Sequence, residues 1–272
     1  MKKKVIIIIS FALIAITVIG LVLLNQRTKS NIPVQTQIIA HRGFWDLEGS
    51  AQNSISSLKN AQKEKFYGSE VDVHLTLDGV VVTNHDDDID SLLINEHTFA
   101  ELQNVRLKNG ESIPTLESHL KLLPENPDTK LIIEIKPKTD SEQEDMAVAA
   151  VLNLVEQMNM EKYVEYISFS KHICQELKRK SPTSIVVFLA TTPATALTPQ
   201  ALKEEGFDGL DYHFSLIDAY PHWIKESKEL GLITNVWTVN DEETMKAMLE
   251  LEVDYITTDK PLELRNILQT NN

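Results

Sequence analysis

The chain has 272 residues, with 40 acidic against 26 basic side chains, a formal net charge of −14 and a pI near 5.0. That balance argues against a nucleic-acid or anionic-surface partner, since either needs an electropositive face, so any phosphate recognition must be local. The single cysteine, Cys174, excludes an intrachain disulfide, and its setting in His172-Ile173-Cys174-Gln175-Glu176-Leu177 reads as helix packing.

In chain order the first feature is an uncharged, mostly aliphatic run from Val5 to Leu24, preceded by Lys2, Lys3 and Lys4 and closed by Arg27 and Lys29. As a helix it would extend roughly 30 Å, enough to cross a bilayer core. A secretory signal has a shorter apolar core of about 7 to 15 residues and ends in a small-x-small site, which Leu21-Val22-Leu23-Leu24-Asn25-Gln26 does not offer. The expectation is therefore an uncleaved transmembrane helix, with residues 1–36 as membrane anchor and linker. The leading lysines put the remainder outside the cytoplasm. The alternative is a secreted or periplasmic protein after signal cleavage.

From residue 37 to 272 the pattern is that of one domain. Eight short apolar runs alternate with longer amphipathic stretches: Gln37 to Ala40, Glu70 to Thr76, Leu131 to Lys136, Tyr166 to Phe169, Ile185 to Leu189, Gly209 to Tyr212, Ile233 to Val239 and Tyr255 to Thr258. Between the third and fourth, Gln143 to Met158 carries an apolar helical stripe of Met146, Val148, Val151, Leu152, Leu154 and Val155. Eight strand-helix units predict a closed parallel (β/α)8 TIM barrel, a fold of about 250 residues. The interval from Leu77 to Lys130 is too long for a simple crossover. It reads as a small insertion after the second strand, opening with a hairpin turned at Asp78-Gly79 and followed by short helices.

Alternate residues of a barrel strand face inward, so Glu70 with Asp72, and Glu134 with Lys136, should project from one face while Val71, Val73 and Ile135 pack outward. Three carboxylates converging on a barrel mouth are costly unless a cation or paired bases neutralise them. A hard divalent metal with oxygen ligands, Mg2+ or Ca2+, fits this set better than zinc, for which there is no tight histidine or cysteine motif. His41 and Arg42 directly follow the first strand, where barrel enzymes carry catalytic groups, and His85 closes the hairpin. Hydrolysis of a phosphodiester needs one proton removed and another delivered, and a histidine pKa near 6.5 suits both tasks. Arg42 and Lys136 are candidates to hold phosphoryl oxygens. Any one of these residues alone has an ordinary structural reading; their combination at the ends of three strands does not. The run Asp86-Asp87-Asp88 is a further acidic cluster, read as a solvated loop.

These residues, in order and spacing, resemble the glycerophosphodiester phosphodiesterase family from about Ile38 to Pro261. The resemblance rests on His41-Arg42-Gly43, Gly68-Ser69-Glu70-Val71-Asp72-Val73, Thr76-Leu77-Asp78-Gly79, His85-Asp86, Ile113-Pro114-Thr115-Leu116, Ile133-Glu134-Ile135-Lys136, Trp237-Thr238-Val239-Asn240 and Thr258-Asp259-Lys260-Pro261. It implies Glu70, Asp72 and Glu134 as metal ligands, His41 and His85 as the acid-base pair, and Trp237 beside the substrate. Where the family commonly has Pro-Glu-Asn-Thr, this chain has Ala51-Gln52-Asn53-Ser54. The amide of Gln52 can still coordinate a hard cation or bond a substrate hydroxyl, but it brings no negative charge. The implied function is metal-dependent hydrolysis of a small glycerophosphodiester to an alcohol and glycerol 3-phosphate. Two alternatives are a phospholipase-type lipid phosphodiesterase, which needs exposed apolar loops, and an inactive phosphodiester-binding module, which the intact set of histidines and carboxylates disfavours.

Overall fold

The computed structural model describes residues 35–270. The expected membrane-spanning run from Val5 to Leu24 lies outside them, and among the described residues no helix is long and apolar enough to cross a membrane.

All eight expected runs are strands of one closed sheet. β1 (Gln37–Ala40) and β2 (Gly68–Leu75) open it; β3 (Val81–Thr83) runs back against β2, and β4 (Asp88–Ile89) and β5 (Leu92–Leu93) form a separate two-stranded hairpin. The sheet continues through β6 (Lys130–Ile135), β7 (Val164–Ser168), β8 (Val186–Ala190), β9 (Gly209–His213), β10 (Ile233–Trp237) and β11 (Tyr255–Thr258). The eight parallel strands follow the order β1-β11-β10-β9-β8-β7-β6-β2, and β1 pairs with β2 to close the barrel. Closure leaves no exposed edge in the parallel set.

Period-two alternation sorts the strand residues into two cores. Val71, Val73, Leu131, Ile133, Ile135, Val164, Tyr166, Leu210 and Tyr212 face outward into the layer between sheet and helices. Ile39, Ile132, Ile167, Val187, Leu189 and Tyr255 form a second cluster that fills the lumen. Gly209 is required by close approach, since a Cβ there would stand 2.3 Å from the Ile233 carbonyl oxygen.

The helix Ser141–Met158 begins at Asp140, whose side chain accepts from the Glu142 amide, and ends at Asn159 in the left-handed region. Its buried face is Glu144, Ala147, Val148, Val151 and Val155. Met146, placed in the sequence-derived stripe, is 56% exposed. At 100° per residue it falls beside the stripe that Ala147 and Val151 define, and its neighbour Ala147 takes the inward place.

The insertion between β2 and β6 carries its own small core of Val82, Ile94, Leu102 and Ile113. The expected turn forms where Thr76 N donates to the Val80 carbonyl and Gly79 takes φ +82°. This hairpin runs back along β2 and brings Thr83 beside Val73 and Asn84 beside Asp72, with Asn84 N donating to the Asp72 carbonyl at 3.1 Å and His85 following.

Candidate active site

One pocket at the C-terminal ends of the barrel strands is lined by His41, Arg42, Glu70, His85, Glu134, Lys136 and Trp237, seven of the nine residues singled out by sequence. Asp72 lies buried directly behind them. In register, Asp72 of β2 sits beside Glu134 of β6. Glu70, Asp72 and Glu134 each offer an oxygen within 4.8 Å of the others, and all three are buried.

Lys136 reaches into this cluster, its Nζ 2.8 Å from Asp72 Oδ1 and 2.9 Å from Glu134 Oε1. Asn53 grips β2 reciprocally: its Nδ2 donates to Asp72 Oδ2 at 2.8 Å, and its Oδ1 accepts from Asp72 N at 3.0 Å. Arg42 gives its backbone amide to Glu70 Oε2 at 2.7 Å, and its Nε stands 3.6 Å from Asp72 Oδ2 without a hydrogen bond. Both Arg42 and Asn53 occupy the left-handed region, at φ +54° and +57°. Gly43, at φ +78°, completes the turn; a Cβ there would lie 2.2 Å from Ser57 Oγ. Gly43 is thus a steric requirement of turning β1 away from the pocket while leaving the Arg42 amide aimed inward.

The cluster carries more negative charge than its bases offset. Burial, then the Asp72 and Glu134 charges, raise Glu70 well above the usual carboxylate range. Burial pushes Glu134 up to about 7 against the pull of Lys136. Burial acts on Asp72 too, but Lys136, Asn53 and Arg42 outweigh it and hold that carboxyl below its ordinary value. Glu70 Oε1 is buried and has no hydrogen-bond partner. Three hard oxygen donors, one of them orphaned, with two carboxyls driven toward protonation, could hold a divalent metal ion.

The two histidines flank the cluster in unlike settings. His41 Nδ1 lies 2.8 Å from Asp259 Oδ1, and Asp259 also accepts from Trp45 Nε1 at 3.1 Å and Asn240 Nδ2 at 2.7 Å. His85 Nδ1 lies 2.7 Å from the exposed Asp86. Burial and Lys136 lower the His85 pKa, which favours the neutral ring near pH 7. With each Nδ1 facing a carboxylate, each Nε2 is the nitrogen left for chemistry.

Gln52 does not join the carboxylates. Its Oε1 accepts from Arg42 Nη1 at 2.9 Å, and it faces a neighbouring groove with Trp45 and Asn84. A neutral amide satisfies the guanidinium there without adding charge to the acidic cluster. The Asp86-Asp87-Asp88 run is solvated, with Asp88 opening β4: all three are exposed and none joins the carboxylate cluster. Asp87 pairs with Lys138, which also lies 3.0 Å from His74 Nδ1, and His74 Nε2 lies 3.3 Å from the His85 carbonyl. Trp237 packs edge-on against Phe169 and His213, with its Nε1 donating to the Asp211 carbonyl at 3.0 Å. Cys174 is fully buried beneath β7, as a packing residue should be.

Asn53, Asp259 and Asp211 belong to the site and were not assigned roles from sequence. Asp211, on β9, lines the pocket opposite the acidic cluster, and burial pushes its carboxyl up to about 8 despite the Asn235 amide beside it.

A closed parallel barrel with buried carboxylates, one histidine at the end of β1 and a second delivered by the insertion defines a (β/α)8 hydrolase site. Residues 41–263 match the glycerophosphoryl diester phosphodiesterase family, and the chain belongs to it, which makes it a phosphoric diester hydrolase. A glycerophosphodiester phosphodiesterase of Caldanaerobacter subterraneus is 26% identical over 248 residues, covering 87% of this chain and 99% of that one. The crystal structure of a glycerophosphodiester phosphodiesterase from Parabacteroides distasonis superposes with a TM-score of 0.84 at 44% identity, covering 87% of this chain and 98% of that one. A phosphodiesterase of Oleispira antarctica, solved in complex with the product sn-glycerol-3-phosphate, shares the fold at 23% identity and a TM-score of 0.75, covering 89% of this chain and 99% of that one.

Proposed function

We propose that the chain hydrolyses small glycerophosphodiesters to an alcohol and glycerol 3-phosphate, using a divalent cation, Mg2+ or Ca2+, held by Glu70, Asp72 and Glu134. The observation that carries this reading is the buried carboxylate trio sharing one pocket with His41 and His85. A bound divalent cation would neutralise the trio and draw charge from the phosphoryl oxygens.

The chain's own residues supply the rest. Lys136, kept charged above its ordinary range by Glu134 and Asp72 although burial opposes it, stands ready for a phosphoryl oxygen, as does the Arg42 guanidinium beside it. The Nε2 atoms of His41 and His85 divide the proton transfers, one taking a proton from the attacking oxygen and the other giving one to the leaving alcohol. Trp237 and Phe169 form an apolar wall that excludes water from the opposite side of the pocket. The product held by the Oleispira relative matches the glycerol 3-phosphate expected here. We further propose that the Val5 to Leu24 run tethers the chain to a membrane with the barrel outside the cytoplasm; its length and flanking lysines support this.

The deciding measurement is turnover of glycerophosphocholine by the full chain with excess chelator and after re-addition of Mg2+ or Ca2+. Activity should vanish and return, with choline and glycerol 3-phosphate as products. Full activity in excess chelator would remove the metal, and release of glycerol with phosphocholine would reject the bond assignment. For the tether, the full chain should fractionate with membranes; recovery only in the soluble fraction with an intact N-terminus would reject it.

A further inference from the structure

The pocket has two unlike walls. The wall built from β2 and β6 carries the three carboxylates and Lys136. The wall from β7 to β10 presents Ile167, Phe169, Leu189 and Trp237, with a single ionisable group near its centre, Asp211. Asp211 is the third residue of β9, and because its neighbours Leu210 and Tyr212 pack into the outer layer, its side chain turns into the lumen. It is 1% exposed, and its Oδ1 has no hydrogen-bond partner.

A buried carboxyl oxygen without a partner is costly, and a packed fold ordinarily pairs or replaces it. This one is not a ligand of the carboxylate trio, whose oxygens lie within 4.8 Å of one another without it. Nor is it the partner of a catalytic histidine, since the Nδ1 of His41 faces Asp259 and that of His85 faces Asp86. It faces the space into which substrate must come. The complementary group follows from chemistry: a hydroxyl suits the carboxyl in either form, donating to a carboxylate and accepting from a carboxylic acid, whereas a phosphoryl oxygen suits only the acid and is repelled by the carboxylate. The apolar surroundings ask that this hydroxyl sit on a short carbon skeleton.

We propose that Asp211 is a specificity-determining residue, its Oδ1 hydrogen-bonding a hydroxyl of the glyceryl group while the carbon chain lies against Phe169, Leu189 and Trp237. Trp237 is held for this contact, because its indole N–H is tied to the Asp211 carbonyl at 3.0 Å. The assignment rests on the proposed hydrolysis of glycerophosphodiesters and adds the group that tells a glyceryl diester from other phosphodiesters. A site built to bond a hydroxyl discriminates strongly against analogues lacking it.

The test uses the full chain, with divalent cation present, as wild type, Asp211→Ala and Asp211→Asn. Asp211→Ala should lower kcat/KM for glycerophosphocholine by roughly 10- to 100-fold. Its loss on bis(4-nitrophenyl) phosphate, which has no hydroxyl, should be about tenfold smaller or less. Asp211→Asn keeps an acceptor oxygen and should recover most of the preference. Calorimetric titration gives a readout independent of turnover: Asp211→Ala should weaken sn-glycerol 3-phosphate by roughly tenfold more than it weakens methyl phosphate. Its melting temperature should equal or exceed that of wild type, because the change removes an unpaired buried group. Equal losses on both substrates, or an unchanged ratio of the two phosphates, overturns the assignment. A wild type that turns over no glyceryl diester defeats the functional reading instead, while the two phosphate titrations still decide Asp211.

Discussion

The two histidines stand on regions of opposite construction. His41 sits at the seam where the barrel closes, and its support arrives from the far end of the chain: Asp259, 218 residues away, itself fixed by Trp45 and Asn240. Side-chain exposures of 18% and 19% put that pair largely out of water. His85 sits on the insertion between β2 and β6, and its partner is its own neighbour Asp86, with exposures of 41% and 74%. Its backbone is held by a second set, His74 against its carbonyl, with Lys138 and Asp87 behind. The contrast teaches that one histidine is fixed through its ring and the other through its loop. A charge-assisted bond in a desolvated seam fixes ring orientation; the same bond in water is screened and fixes little.

The largest effect tests whether the regions share one reaction. His41→Ala and His85→Ala should each lower kcat by roughly 10²- to 10⁴-fold, the range for a positioned acid or base. Cation binding, followed by calorimetry, should survive both. A nitrophenyl ester, whose leaving group needs little protonation, should rescue selectively the variant that lacks the acid. Equal rescue of both would reject the division of labour, and near-wild-type turnover of the natural substrate by either variant would remove that histidine from the mechanism.

The next effect separates the supports themselves. Burial would raise the Asp259 pKa, but the bonds from His41, Asn240 and Trp45 prevail and hold it below its ordinary value. Asp259→Asn should therefore cost about 10- to 100-fold in kcat, because the ring loses the carboxylate that fixes its tautomer and orientation. Asp86→Asn should cost less than about threefold, since an exposed pair contributes little. Matching losses measured side by side would show that the seam and the loop do the same job.

The same division explains what could be read from sequence. The eight strands and the inward set Glu70, Asp72, Glu134 and Lys136 were legible because period-two alternation depends only on neighbours. So was the hairpin that delivers His85, through Asp78 and Gly79. Asp259 was visible as part of a motif, but its task was not, because pairing across 218 residues is fixed by barrel closure and leaves no local mark. Around Gln52, attention to the missing carboxylate hid the neighbour that matters: Asn53, not Gln52, binds Asp72, because the left-handed turn at Asn53 aims its amide at β2. Asp211 could have been found by applying to Gly209-Leu210-Asp211 the alternation already used on β2.

The smallest effect asks whether the two regions part company with pH. The insertion holds His119, 1% exposed on the helix Leu116–Leu120, its Nδ1 3.3 Å from the Thr115 carbonyl. Burial lowers its pKa from 6.5 to about 4. Between those values the unfolded chain binds a proton that the folded chain refuses, so this group's contribution to stability is full above pH 6.5 and lost as pH falls toward 4. The shift corresponds to on the order of 3 kcal/mol at most, or several degrees in melting temperature for a domain of this size. His119→Gln does not titrate, and carboxyl contributions are common to both proteins. The melting-temperature advantage of wild type over His119→Gln at pH 7 should therefore shrink or reverse near pH 4.5; a constant gap would show that His119 is not buried as a neutral ring. Because Pro114, at the start of this segment, accepts from Thr83 N at 3.0 Å, acid should loosen the strand leading to His85 before the seam at His41, whose amide donates to the Thr258 carbonyl at 3.0 Å. Amide hydrogen exchange, corrected for the intrinsic pH dependence, should then lose more protection at Thr83 than at His41 on going from pH 7 to 4.5, and equal losses at the two would show that acid opens the barrel as one unit.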